Sequence, residues 1–205
     1  MQVNRFITQA LLCFGVMLTG CADRLSPEAY MSWVKNTESG FVQEHVVNEY
    51  RVEAFFKPDG YQYLTQPSNP NQQDAYDAYM NSGGSDMIML DLKIGRQDQE
   101  DLIETGALSK AEIQQRIYYY AYTFKDHIYL EKDGEQLPCA MLHFERSFDL
   151  KGYRNFLLGF EPLNDDTQLP FTLVIHSELL ATGPIKLYFE ERPDRKLRFE
   201  NPKNT

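Results

Sequence analysis

Two pairs of residues share the spacing His-x-Glu, His143 with Glu145 and His176 with Glu178. Alternate residues of an extended chain point to one face, so each pair would set an imidazole beside a carboxylate. If the two strands were neighbours, the four side chains would suit a divalent ion such as zinc, which accepts nitrogen and oxygen ligands. A metal-dependent hydrolase would then follow. No third ligand motif supports that geometry, and solvent-facing strand positions account for the same residues. The expectation is therefore no metal and no catalytic residue, with His143, Glu145, His176 and Glu178 kept as candidates. Cys139, between Pro138 and Ala140 in an apolar run, reads as a buried, inert thiol. There is no Gly-x-Ser-x-Gly elbow and no phosphate-cradling glycine loop. Asn164-Asp165-Asp166 and Asp59-Gly60 lack the alternating acidic pattern of a calcium loop and read as turns.

The aromatic residues are the other chemistry on offer. Thirteen tyrosines and one tryptophan supply rings with an apolar body and a polar edge, a type enriched both at binding surfaces and at half-buried strand positions. Tyr118, Tyr120, Tyr122 and Phe124 alternate with Tyr119, Ala121, Thr123 and Lys125, which predicts a strand with aromatic rings on both faces. One set would face the core. Tyr118, Tyr120 and Tyr122 are then a candidate patch for a small ligand or glycan.

The N-terminus carries an address. Arg5 precedes the uncharged run Phe6–Leu18, 13 residues long, too short for a membrane span of about 20 residues but in the order of a secretory signal. The run ends in Leu18-Thr19-Gly20-Cys21, which resembles the lipobox of bacterial lipoproteins at all four positions. The resemblance implies that residues 1–20 are a signal peptide, removed on export. It also implies that Cys21 becomes the first residue, carrying a diacylglyceryl thioether and an N-acyl chain such as palmitate. Two or more acyl chains anchor stably where one holds marginally. Ala22, rather than Asp, follows the cysteine, which by the same resemblance points to the outer membrane; the facing side, periplasm or exterior, stays open. The covalent lipid is the one cofactor expected.

Composition narrows the partners. The chain has 20 basic and 30 acidic residues, a formal charge of −10, and Arg5 is the single charge in residues 1–20. Because no basic cluster is expected to exist that could release counterions, nucleic acid and anionic lipid headgroups are disfavoured. Cys13 leaves with the signal and Cys21 is acylated, so Cys139 has no disulfide partner.

The elements that must position these groups follow from pattern. Residues 21–25 read as an acylated tether. Ser26-Pro27-Glu28 caps a helix to about Lys35. Alternation from Val42 to Phe56 suggests a hairpin turning at Asn48-Glu49, and Pro58-Asp59-Gly60 ends it. A short helix is expected near Ala75–Met80, opened by Asn69-Pro70, and a strand over Asp86–Ile94. Ser109-Lys110-Ala111-Glu112 matches a capping box. Short strands then recur: Tyr118–Lys125, Ile128–Leu130, Leu137–Arg146, Tyr153–Phe160, Phe171–Ser177, Ile185–Glu190 and Leu197–Phe199, with a turn at Asp133-Gly134.

Leu137-Pro138-Cys139, His143 to Leu150, and Asn155 to Phe160 resemble a pattern in uncharacterised envelope lipoproteins of Bacteroidetes type, and more loosely the second half of immunoglobulin-like lipoprotein domains. The resemblance implies location and brings no activity with it. The predicted fold is mainly β, an immunoglobulin-like β-sandwich with two or three short helices, with α+β as the alternative. A mixed part, 26–108, and an antiparallel part, 109–205, are expected to pack as one unit. The expected function is that of a lipid-anchored, non-enzymatic binding or accessory subunit of an envelope complex, with an envelope protein as partner. A surface ligand- or glycan-binding lipoprotein and a metal-dependent hydrolase are the alternatives.

Overall fold

The computed structural model describes residues 24–145, 152–162, 169–190 and 195–200. Residues 1–20, Cys21 with its lipobox, and Asn164-Asp165-Asp166 lie outside the described residues. The fold is mainly β. A two-residue strand β1 (Arg24–Leu25) leads to helix α1 (Pro27–Val34), whose Ser26 hydroxyl accepts from the Ala29 amide at 3.3 Å. The hairpin β2 (Val42–Val47) and β3 (Tyr50–Lys57) turns through Asn48 at φ 51°. Helices α2 (Asp59–Thr65) and α3 (Gln73–Asn81) separate it from β4 (Ile88–Arg96). After α4 (Lys110–Tyr118) come β5 (Ile128–Lys132), β6 (Glu135–Glu145), β7 (Tyr153–Phe160), β8 (Phe171–Ile175), β9 (Ile185–Phe189) and β10 (Lys196–Leu197). The β5–β6 turn holds Asp133 at φ 51° and Gly134 at φ 84°, the left-handed pair that a two-residue hairpin turn requires.

Eight strands form one antiparallel sheet in the order β2-β3-β4-β7-β6-β5-β8-β9, and the sheet curls until β2 lies against β9. Strand β6 is the corner. Its first residues, to Pro138, pair with β5, and from Cys139 onward it pairs with β7, with a register slip between Cys139 and Met141. A bulge of that kind bends a strand and sharpens its twist, so the two halves face each other as in a sandwich while staying joined as in a barrel. Because β4 is hydrogen-bonded to β7 along its length, residues 26–108 and 109–205 share one sheet.

The interior is filled mostly by the sheet's own side chains, with helical residues closing its ends. Ile88, Leu90, Leu92 and Ile94 of β4 turn inward and are at most 1% exposed. Phe56 of β3 reaches across to Phe171 (5.3 Å between ring centroids) and Phe189 (6.4 Å). At the other end Tyr120 and Phe124 pack on Phe156, which stacks on Phe144 at 5.2 Å.

Four local expectations are corrected. The segment Tyr118–Phe124 is helical. From α4 the chain passes through a wide turn, Tyr119–Thr123, in which the Phe124 amide donates to the Tyr119 carbonyl, and then a tight one, Phe124–His127. The row of aromatic residues also fits a helical period: Ile113, Ile117, Tyr120 and Phe124 form one stripe, and burying that stripe under Phe156 outweighs the β preference of tyrosine. Pro58-Asp59-Gly60 opens α2 instead of merely ending β3. A Cβ on Gly60 would lie 2.8 Å from the Tyr30 hydroxyl oxygen, so the glycine lets α1 and α2 approach. Helix α3 starts at Gln73, four residues after Asn69, and the described residues hold four α-helices where two or three were expected. Arg24-Leu25, read as tether, is a strand paired in parallel with β10.

Candidate binding surface

The outward side chains of β2, β3, β4, β7 and β6 make a solvent-facing surface, and strand register sets its rows. Directly opposed residues of antiparallel strands point to the same side. One row runs Glu44, Glu53, Lys93, Asn155, Glu145, and the next Val42, Phe55, Asp91, Leu157, His143. His143 and Glu145 therefore stand on this face together, as their alternation predicted.

Pairing of charges organises the rows. The Lys57 ammonium lies 2.7 Å from the Asp91 carboxylate, and Lys93 lies 3.8 Å from Glu53. Lys93 also sits 4.3 Å above the Tyr153 ring, an attraction between cation and ring quadrupole. The Asn155 amide donates to Glu145 Oε2 at 2.9 Å. One wall is aromatic: Phe55 meets Tyr61 edge-on at 5.0 Å, and Lys35 lies over the Tyr61 ring. Between them opens a cleft of about 550 Å³ containing His143, Asp91, Lys57, Asn155 and Phe55. A second cleft, about 600 Å³, adjoins it through Glu53 and Lys93 and continues past Arg51 to Arg96. There Arg96 donates through Nε and Nη2 to Asp98, which holds the Asp98 carboxyl below the usual range.

Alternating charges over an apolar floor of Phe55 and Leu157 can hold a partner that carries both signs. Each cleft charge with an oppositely charged neighbour is already partly neutralised, so an incoming group exchanges one pairing for another instead of meeting a bare ion.

The remaining sequence candidates are placed apart. His176 and Glu178 follow the end of β8, with β5 between that strand and β6. His143 lies on the stretch of β6 that has left β5 for β7. The four do not converge, and among the described residues no group of three or more His, Cys, Asp or Glu is placed to hold a metal ion. The aromatic patch divides: Tyr118 and Tyr122 are 62% and 58% exposed with rings 5.0 Å apart, while Tyr120, at 2%, belongs to the core. A helix brings residues four apart onto one side and turns the residue between them away. Cys139 is buried, its thiol donates to the Met141 carbonyl at 3.1 Å, and burial pushes its pKa up to about 11.

Sequence reasoning did not find Asp91, Lys57, Lys93, Asn155 or the wall of Phe55 and Tyr61. Alternation along Asp86–Ile94 puts Asp91 and Lys93 on the face opposite the buried Leu90 and Leu92. What was missing was the register that sets Lys93 beside Asn155 and Asp91 beside Leu157. Also unread was Arg154, whose guanidinium is ion-paired with Asp101 where the loop after β4 meets β7. Among the described residues no helix is long and apolar enough to cross a membrane. Set against family models, curated proteins and solved structures, the chain matches none.

Proposed function

We propose that the chain is an outer-membrane lipoprotein, acylated at Cys21 after loss of residues 1–20, whose β domain is a non-enzymatic subunit that binds another envelope protein across the outer face of β2, β3, β4, β7 and β6. The observation that carries the binding role is the cleft bounded by Lys57, Asp91, His143 and Asn155 over Phe55 and Leu157. The interior of the curled sheet is packed with Phe56, Phe171, Phe189 and the β4 aliphatics, so the outside of the sheet is where a partner finds both charge and apolar surface. The anchor rests on Leu18-Thr19-Gly20-Cys21.

Photo-crosslinking in intact envelopes tests the reading. A crosslinking residue at position 57, 91 or 155 is expected to capture the same envelope protein from the processed, acylated chain, and one at position 110 is expected to capture none. Crosslinks concentrated at positions 118 and 122, to glycan or small ligand, would put the ligand-binding alternative in its place. A bare thiol at residue 21 by mass spectrometry would remove the anchor.

A further inference from the structure

Charge is unevenly distributed over this acidic chain. Where β1 and β10 pair in parallel, Arg24 is in register with Lys196 and Leu25 with Leu197, and the Arg198 amide donates to the Leu25 carbonyl at 2.8 Å. Leu197 is buried. Side chains alternate along a strand, so Arg24 and Lys196 point the other way, and Arg198, two residues beyond Lys196, falls on their side. All three are exposed, and none is ion-paired among the described residues. They border one hollow with Tyr76, Asp77 and Met80 of α3. Its one acidic member, Asp77, accepts a hydrogen bond from Gln73 at 2.8 Å. Arg195 adds a fourth positive charge nearby, over the ring of Trp33.

The position of this cluster matters because of chain length. Only Ala22 and Asp23 separate Cys21 from Arg24, and three residue steps reach at most about 11 Å. That is close to the Debye length, about 8 Å at physiological ionic strength. Resting on the anchored reading above, we propose that Arg24, Lys196 and Arg198 form a docking surface for the anionic phospholipid headgroups of the bilayer that holds the acyl chains. The surface fixes which side of the domain faces the membrane. Basic side chains held at that distance are attracted by anionic headgroups, and Tyr76 and Met80 supply the amphipathic flank such an interface favours. This corrects the expectation that no basic cluster exists. The Arg195–Arg198 run carries three basic residues, but the acids Glu190, Glu191, Asp194 and Glu200 around it cancel it along the chain, and Arg24 joins it only through the fold.

Energy transfer from Trp33, the single tryptophan, to dansyl-headgroup lipid reads the distance of this end from the bilayer. The acylated protein is reconstituted in vesicles of phosphatidylcholine alone, or with about one-third phosphatidylglycerol, at equal acceptor density. Transfer is expected to rise on the anionic vesicles, and the rise is expected to vanish in roughly 1 M salt. It should also vanish in the Arg24→Gln/Lys196→Gln/Arg198→Gln variant and persist in Lys110→Gln/Lys125→Gln/Lys186→Gln, which loses the same charge elsewhere. Equal transfer on both vesicle types, or loss of the rise in the second variant, overturns the docking surface. Flotation with pure phosphatidylcholine vesicles reads the anchor separately: failure to float takes down the anchored reading, and flotation with equal transfer takes down the headgroup surface alone.

Discussion

The two faces of β4 divide one strand between two environments. Inward, Ile88, Leu90, Leu92 and Ile94 are sealed from solvent; outward, Asp91 and Lys93 on the same strand line the two adjoining clefts with Lys57, Glu53 and Tyr153. The two sets interleave residue by residue, so a slip of one position would exchange them. The contrast teaches that this sheet separates apolar packing from exposed, paired charge by direction, not by region. The inner face holds the apolar packing while the outer face carries the ion pairs.

The sharpest attempt to break that contrast is Phe56→Ala, since Phe56 touches both Phe171 and Phe189 across the interior. Removing a buried phenyl ring costs about 3–5 kcal/mol, measured as the shift in urea unfolding at neutral pH; a loss below about 1 kcal/mol would show that the interior is not the packed half. Cys139 sharpens the contrast by pH. Burial raises its thiol from 9.0 to about 11, so the folded state favours the neutral form. The stability this gives is complete below about pH 9 and is lost as pH rises through about 11. Wild type should lose about 2–3 kcal/mol more than Cys139→Ala over that interval, read from unfolding free energy at successive pH values, and parallel curves would show a solvated thiol. The smallest effect belongs outside. Asp91→Asn, at a partly exposed pair with Lys57, is expected to change stability by less than about 1 kcal/mol while weakening capture by the crosslinker at position 57. A large loss of stability there would mean that the outer face also carries the fold.

Much of the sheet was legible in one dimension. Tyr153–Phe160 coincides with β7, and Ile88, Leu90, Leu92 and Ile94 form the core face of β4 as their alternation requires. The turns at Asn48 and Asp133-Gly134 fall where residues tolerant of positive φ stand. Ser109 accepts from the Glu112 amide at 3.2 Å, while Glu112 reaches back to the Leu108 amide, one residue beyond the cap. Tyr118–Phe124 was misread because a period of two and a period of 3.6 both fit it, and the decision lay with Phe156 and Phe144, some thirty residues along the chain. Of the cleft, His143 and Glu145 were named and placed on one face, but with a metal in view; the neighbours that define the surface come from four other strands.

Local pattern, by itself, determined which residues share a strand face, where hairpins turn, which helices are capped, and that Cys21 ends a lipobox-like run. These depend on backbone sterics and on hydrogen bonds between residues a few positions apart, so a short window contains them. Tertiary structure alone decided that Lys93 stands beside Asn155, that Tyr120 is buried while Tyr118 and Tyr122 are not, and that Arg24 meets Lys196. Those outcomes follow from burying apolar surface between segments far apart in the chain, and their register is set when the sheet closes on its core, where no local spacing records it.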